Sequence, residues 1–210
     1  VTAPEPVSRQ RGSWTMVVLA VLAGFLLIRN GTSEATDGPP QPDAGAAVLR
    51  TDTPPADPLP RSRPERVRIP EIQVDAPLTD VGLDADGWLD APPKDAKNLA
   101  GLYTGAVTPG EGGTAVLVGH VDSDAGPAVF FGLGALKKGK HIEVARADGR
   151  VAVFEIYGIE VVPKDGFPAK RVYGNTGLPE LRLITCGGGY SKKTGYEGNV
   201  VLYALMTHVR

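Results

Sequence analysis

Two residues far apart in the chain have the types and settings that nucleophilic acyl chemistry requires. Cys186 is the only cysteine, and it ends the run Leu181-Arg182-Leu183-Ile184-Thr185 directly before Gly187-Gly188-Gly189. A thiol at a strand end followed by three residues without side chains is placed at an accessible rim, because glycine beside a strand marks close approach by a ligand or another backbone. The plain alternative is a buried cysteine that only fills space. A thiolate nucleophile needs a base or cation beside it and a donor for the oxyanion that forms on attack. His120 is placed to serve, since it ends the apolar strand Ala115-Val116-Leu117-Val118 after Gly119. A hydrogen-bonded structural histidine is the competing reading. His141, after Lys137, Lys138 and Lys140, and His208, near the C-terminus, read as surface residues.

Weaker signals surround this pair. Asp122, Ser123 and Asp124 could orient the imidazole, although Asp and Ser clusters are commonly turn residues. Asp84, Asp86 and Asp90 have calcium-loop spacing but lack the closing Glu and the helical framing, so they read as a turn. Neither a metal nor a cofactor is expected.

The elements that must position Cys186 and His120 emerge once the chain is divided. Its 210 residues include 27 glycines and 19 prolines, about a fifth of the total, which excludes a coiled coil or helical bundle. Lys and Arg number 22 against 24 Asp and Glu, and a net charge of −2 argues against a nucleic-acid partner. One cysteine excludes an internal disulfide framework and a Cys-rich zinc site.

Residues 14–29, from Trp14 through an uncharged apolar run to Arg29, read as a transmembrane signal-anchor, with a cleaved signal peptide as the alternative. The helix spans about 22 Å, short for a bilayer core of roughly 30 Å. Arg9 and Arg11 precede it, so residues 1–13 form a cytoplasmic tail and the rest lies outside, at the cell membrane. Residues 30–65 carry prolines 39, 40, 42, 54, 55, 58, 60 and 64 and no hydrophobic period, which predicts a disordered, partly polyproline linker.

Residues 66–210 form one mainly β domain. Alternation and turn signals predict strands at 66–72, 74–78, 114–120, 141–147, 151–162, 180–186 and 199–206, and short helices at 94–100, 127–136 and 168–173. Asp148-Gly149 is the strongest hairpin signal. Seven or more short strands point to an antiparallel sandwich or closed barrel.

At this point the residues resemble the sortase family. Leu183-Ile184-Thr185-Cys186 fits the pattern T-L-x-T-C from its leucine onward, and Gly119-His120-Val121 fits the family's histidine. Thr185-Cys186-Gly187-Gly188 with the ending Asn199-Val200-Val201-Leu202-Tyr203-Ala204 is most similar to the class F sortases of actinobacteria. The resemblance implies a closed eight-stranded β-barrel with short helices. It also implies a thiol transpeptidase. Cys186 would attack an LPxTG-like sorting signal on a secreted protein to give a thioacyl-enzyme. His120 would protonate the leaving amine and then deprotonate an amine acceptor from a peptidoglycan precursor or a pilin lysine. Ile184, Thr185 and Asn199 are carried over as substrate-binding positions.

The family's arginine at the start of the last strand is missing; Glu197, Gly198 and Asn199 stand there. Strand alternation puts Arg182, Ile184 and Cys186 on one face, with about 13 Å between the first and last, so Arg182 is the expected substitute. Lys192 and Lys193 are weaker candidates, and a strand arginine paired to a carboxylate is the alternative. Two other classes stay open. L,D-transpeptidases and NlpC/P60-type peptidases use Cys and His, but the S-H-G-C motif of the first is absent and the second has the reverse order. A catalytically silent β-domain that binds cell-wall components is the other.

Overall fold

In the computed structural model, residue 21, residues 38–47, residue 49 and residues 51–210 are described. The tail 1–13 and all of the apolar segment 14–29 except residue 21 lie outside the described residues. Among the described residues no helix is long and apolar enough to cross a membrane.

The β-rich pattern resolves into β1 (Pro64–Ile69), β2 (Val74–Val81), β3 (Ala100–Tyr103), β4 (Gly113–Val118), the short ribbon β5 (Asp122–Ser123) and β6 (Gly126–Pro127), β7 (His141–Arg146), β8 (Val151–Pro163), β9 (Pro179–Ser191) and β10 (Gly195–Val209). Eight of them close a barrel in the order β1-β2-β3-β4-β9-β10-β8-β7, with β7 pairing back onto β1. Most neighbours are antiparallel, but β2 with β3 and β4 with β9 run parallel. The Asp148-Gly149 hairpin joins β7 to β8, with Gly149 at φ 80°.

β3 has no sequence signature. Its four residues do not alternate, and it exists because Gly101 lets three strands approach. A Cβ there would stand 2.8 Å from Val81 Cγ1 and 3.0 Å from Val118 Cγ1. The helix expected at 94–100 is instead a pair of tight turns, Ala96 N donating to Pro93 O and Leu99 N to Ala96 O. Within 127–136 only a 3-10 turn at Leu133–Ala135 forms, whereas the expected helix at 168–173 is present as α1 (Ala169–Tyr173).

Alternation along β9 sorts its side chains into two clusters. Leu181 and Leu183 join Leu117, Ile142, Phe154 and Leu202 inside the barrel. Ile184 lies outside with Val116, Val162, Val201, Tyr203 and Val172 of α1. The β4–β9–β10 sheet is thus buried on both faces, which is why Ala115–Val118 read as an uninterrupted apolar run. Each fully buried Val or Leu here contributes roughly 1.5–3 kcal/mol, enough to hold this sheet as a rigid base.

The described part of the Pro-rich stretch lies along the barrel. Ala46 is buried, Leu59 packs on the core, Ala56 N donates to Met206 O and Leu59 N to Gly110 O. Arg146 Nη2 reaches Pro60 O at 2.5 Å, and its Nη1 donates to Pro109 O. The expectation of disorder over 30–65 followed from the absence of a hydrophobic period. Single apolar anchors and backbone hydrogen bonds dock its described residues without one, and residues 30–37, 48 and 50 lie outside the described residues.

Candidate active site

The parallel ladder of β4 and β9 sets Val118 opposite Ile184, and Gly119 N donates to Ile184 O at 3.1 Å. His120 and Cys186 each stand two residues beyond that pair, so they lie in register with one another, His120 just past the end of β4 and Cys186 within β9, which continues to Ser191 where the sequence pattern implied that the strand ends at the cysteine. On the other side of β9, antiparallel β10 sets Asn199 directly across from Cys186. Imidazole, thiol and amide therefore form a row over three neighbouring strands, which in a sheet lie roughly 4.8 Å apart. All three line one cleft of about 260 Å3, together with Ile184 and Thr185.

Glycines shape this floor by letting neighbouring elements pack closely. A Cβ at Gly119 would meet Phe130 Cδ2 and Val129 Cγ1 at 2.6 Å, so glycine there lets the barrel's own side chains pack behind His120. A Cβ at Gly187 would meet Val200 Cγ2 at 2.5 Å, and Gly188 adopts φ 80°, where the β9–β10 register shifts. Of the two close approaches that the triple glycine allows, by a ligand or by another backbone, the packing at Gly187 and Gly188 is against β10. Cys186 itself is a half-buried free thiol.

His120 Nε2 lies 2.6 Å from the carbonyl oxygen of Pro92. A carbonyl only accepts, so Nε2 carries a hydrogen and Nδ1 is the nitrogen that can take or give a proton. Asp122 does not orient the imidazole; its Oδ2 accepts from Tyr196 OH at 2.5 Å, tying the loop after His120 to β10. Burial and the Asp122 carboxylate push the Tyr196 phenol well above its ordinary pKa. Ser123 ends β5 and its hydroxyl donates across the turn to Gly126 O, and Asp84 caps its turn by accepting from Asp86 N and Trp88 N.

Ile184 and Asn199 stand on the Cys186 face. Thr185 alternates to the opposite face, and its Oγ1 is buried without a hydrogen-bond partner among the described residues. Arg182 shares the Cys186 face but does not line the cleft. Its Nη2 is 2.9 Å from Glu180 Oε2, with side chains 3% and 8% exposed, and its guanidinium lies over Tyr203. Glu180 also accepts from Tyr157 OH at 2.6 Å and Thr176 Oγ1 at 2.7 Å. Lys192 and Lys193 are exposed in the turn between β9 and β10.

The remaining walls went unread in the sequence. Trp88 and Leu89 come from the loop after β2, and Phe167 and Tyr173 from the segment around α1; all four line the cleft. Trp88 meets Phe167 edge-on, with ring centres 6.4 Å apart. Trp88, Leu89 and Phe167 give no periodic signal because each sits in a turn or loop whose position only the closed barrel defines, and Tyr173 ends a helix of five residues, too short to show one.

A lone thiol and an imidazole, each two residues past the last pair of a parallel ladder, have a known counterpart. The sequence model of the sortase domain matches residues 67–207. The chain belongs to the sortase family. This sortase is a cysteine transpeptidase, with Cys186 its one cysteine. No curated protein matches its sequence. Its fold is similar to a lid mutant of sortase A from Corynebacterium diphtheriae, at 20% identity and TM-score 0.54 over 71% of this chain and 73% of the other. The SrtA sortase from Actinomyces oris matches at 22% identity and TM-score 0.54, over 77% and 89%. Sortase E1 from Streptomyces coelicolor, with a tripeptide in the active site, matches at 17% identity and TM-score 0.52, over 71% and 90%.

Proposed function

We propose that this sortase cuts an LPxTG-like sorting signal on secreted proteins and joins the new carboxyl end to an amine of the cell wall or of a pilin. The observation that carries the proposal is the row His120, Cys186, Asn199 in one cleft whose other wall is apolar. The thiolate of Cys186 attacks the carbonyl carbon after the Thr of the signal, and the C–N bond breaks as a C–S bond forms. His120, held through Nε2 by Pro92 O, gives its Nδ1 proton to the departing amine and takes one from the incoming amine. Asn199, opposite the thiol, offers an amide N–H to the bound backbone. Ile184, Trp88, Leu89 and Phe167 present apolar surface suited to the leucine and proline of such a signal.

The Thr-Cys-Gly-Gly sequence and the Asn199–Ala204 ending support placement in class F. The uncharged run at 14–29, with basic residues ahead of it, supports a membrane-anchored enzyme whose barrel lies outside the cytoplasm.

The test incubates the full chain in detergent micelles with a panel of LPxTG-type peptides and follows mass on Cys186. The expected adduct is the peptide up to Thr, absent in Cys186→Ala and formed about 10²–10⁴-fold more slowly in His120→Ala. A panel left uncut, with the thiol never acylated, would remove the proposal.

A further inference from the structure

Attack of a thiolate on a carbonyl moves negative charge onto the carbonyl oxygen, and a cation or fixed donor must meet it there. The cationic side chains suggested by sequence are elsewhere: Arg182 is committed to Glu180 and Tyr203, and Lys192 and Lys193 do not line the cleft. Apart from His120, the cationic side chain lining the Cys186 cleft among the described residues is Lys94. It is exposed, and its ammonium has no ion pair or hydrogen bond with any described residue. Its neighbour Lys97, by contrast, is spent on Ala125 O at 2.7 Å.

The loop that carries Lys94 is also the one that holds the imidazole. Pro92 is buried and accepts from His120 Nε2, and Pro92-Pro93 fix two successive φ angles immediately before Lys94. One anchored turn therefore brings an uncommitted ammonium, on a four-carbon stem, to the cleft that holds the thiol and its acid–base partner. The geometry points to Lys94 as the cation that meets the substrate carbonyl oxygen during attack by Cys186. This deepens the cysteine acyl-transfer reading and rests on it, but not on any particular sorting signal.

The test compares two reactions of the same thiol in the full chain. With p-nitrophenyl acetate, Cys186 forms a C–S bond to the acetyl carbon and p-nitrophenolate leaves, by way of an oxyanion. With iodoacetamide, the thiolate displaces iodide and no oxyanion forms. Lys94→Met is expected to lower the ratio of acylation to alkylation rate at least tenfold, and Lys94→Arg to keep it within a few fold of wild type. Arg182→Lys, which retains a charge for Glu180, leaves the ratio unchanged. An unchanged ratio in Lys94→Met would overturn the assignment. So would equal losses in both rates, which would place the lysine's effect on the thiolate, or a collapse of the ratio in Arg182→Lys. Failure to cut any LPxTG-type peptide would sink the proposed substrate while leaving this ratio measurable.

Discussion

The guanidinium of Arg182 rests 4.5 Å from the centre of the Tyr203 ring while its Nη2 holds Glu180 Oε2 at 2.9 Å. Both charges are nearly sealed from water, so removing one strands the other. Arg182→Met should cost about 3 kcal/mol of stability in chemical denaturation, since breaking a buried pair leaves an uncompensated carboxylate. The double variant Arg182→Met with Glu180→Gln should recover part of that loss. An Arg182→Met protein as stable as wild type would contradict this account of the pair.

Asn199 stands across the ladder from Cys186, which makes its charge a control on the thiol. Asn199→Asp introduces a carboxylate beside the nucleophile and disfavours the thiolate. The pH profile of iodoacetamide alkylation should move to higher pH, with a slower rate at neutrality. Asn199→Ala should leave that profile in place and lower acylation instead.

Gly119 is the hinge point between the β4 ladder and His120. Gly119→Ala drives a methyl into Val129 and Phe130, both otherwise 2.6 Å from the new carbon. Overpacking of this kind costs about 1–3 kcal/mol. Because the displaced segment carries the imidazole, peptide cleavage should fall further than the drop in Tm alone accounts for, and alkylation of Cys186 should change less than cleavage.

The Tyr196–Asp122 tie gives a pH signature. Its phenol is pushed above the ordinary tyrosine value by burial and by Asp122, so the folded state resists ionisation. The sign follows: the contribution is complete below about pH 10, the unfolded value, and fades as pH rises through the higher folded value. The stability difference between wild type and Tyr196→Phe should thus be flat from neutral pH to about 10 and shrink above it. Amide exchange in 187–195 should be faster in the variant at neutral pH.

Seven of the eight barrel strands were legible because alternation and turn signals act within a few residues, as at Asp148-Gly149. The same local logic singled out Cys186 and His120 from the apolar runs that precede them, although β9 continues past Cys186 to Ser191. β3 was illegible because its reason to exist is the space between Val81 and Val118, and Lys94 and Trp88 because their loop is placed by Pro92 on His120. Arg182 was found by alternation along β9, but alternation gives a face and not a partner. Its engagement with Glu180, two residues away on the same face, depends on Tyr157 and Thr176 closing around that carboxylate.

The parallel pairing of β4 with β9 also sets when the enzyme can become reactive. Val118 and Ile184 are 66 positions apart in sequence, and their contact waits for the intervening hairpin and helix to be made and folded. Contacts of such separation form late, since the entropy of closing the loop must be met first. Until that sheet closes, the cleft that Cys186 lines with His120 and Lys94 does not exist. A newly made chain therefore carries its one thiol without a substrate cleft, and thiol and cleft come together only in the finished barrel.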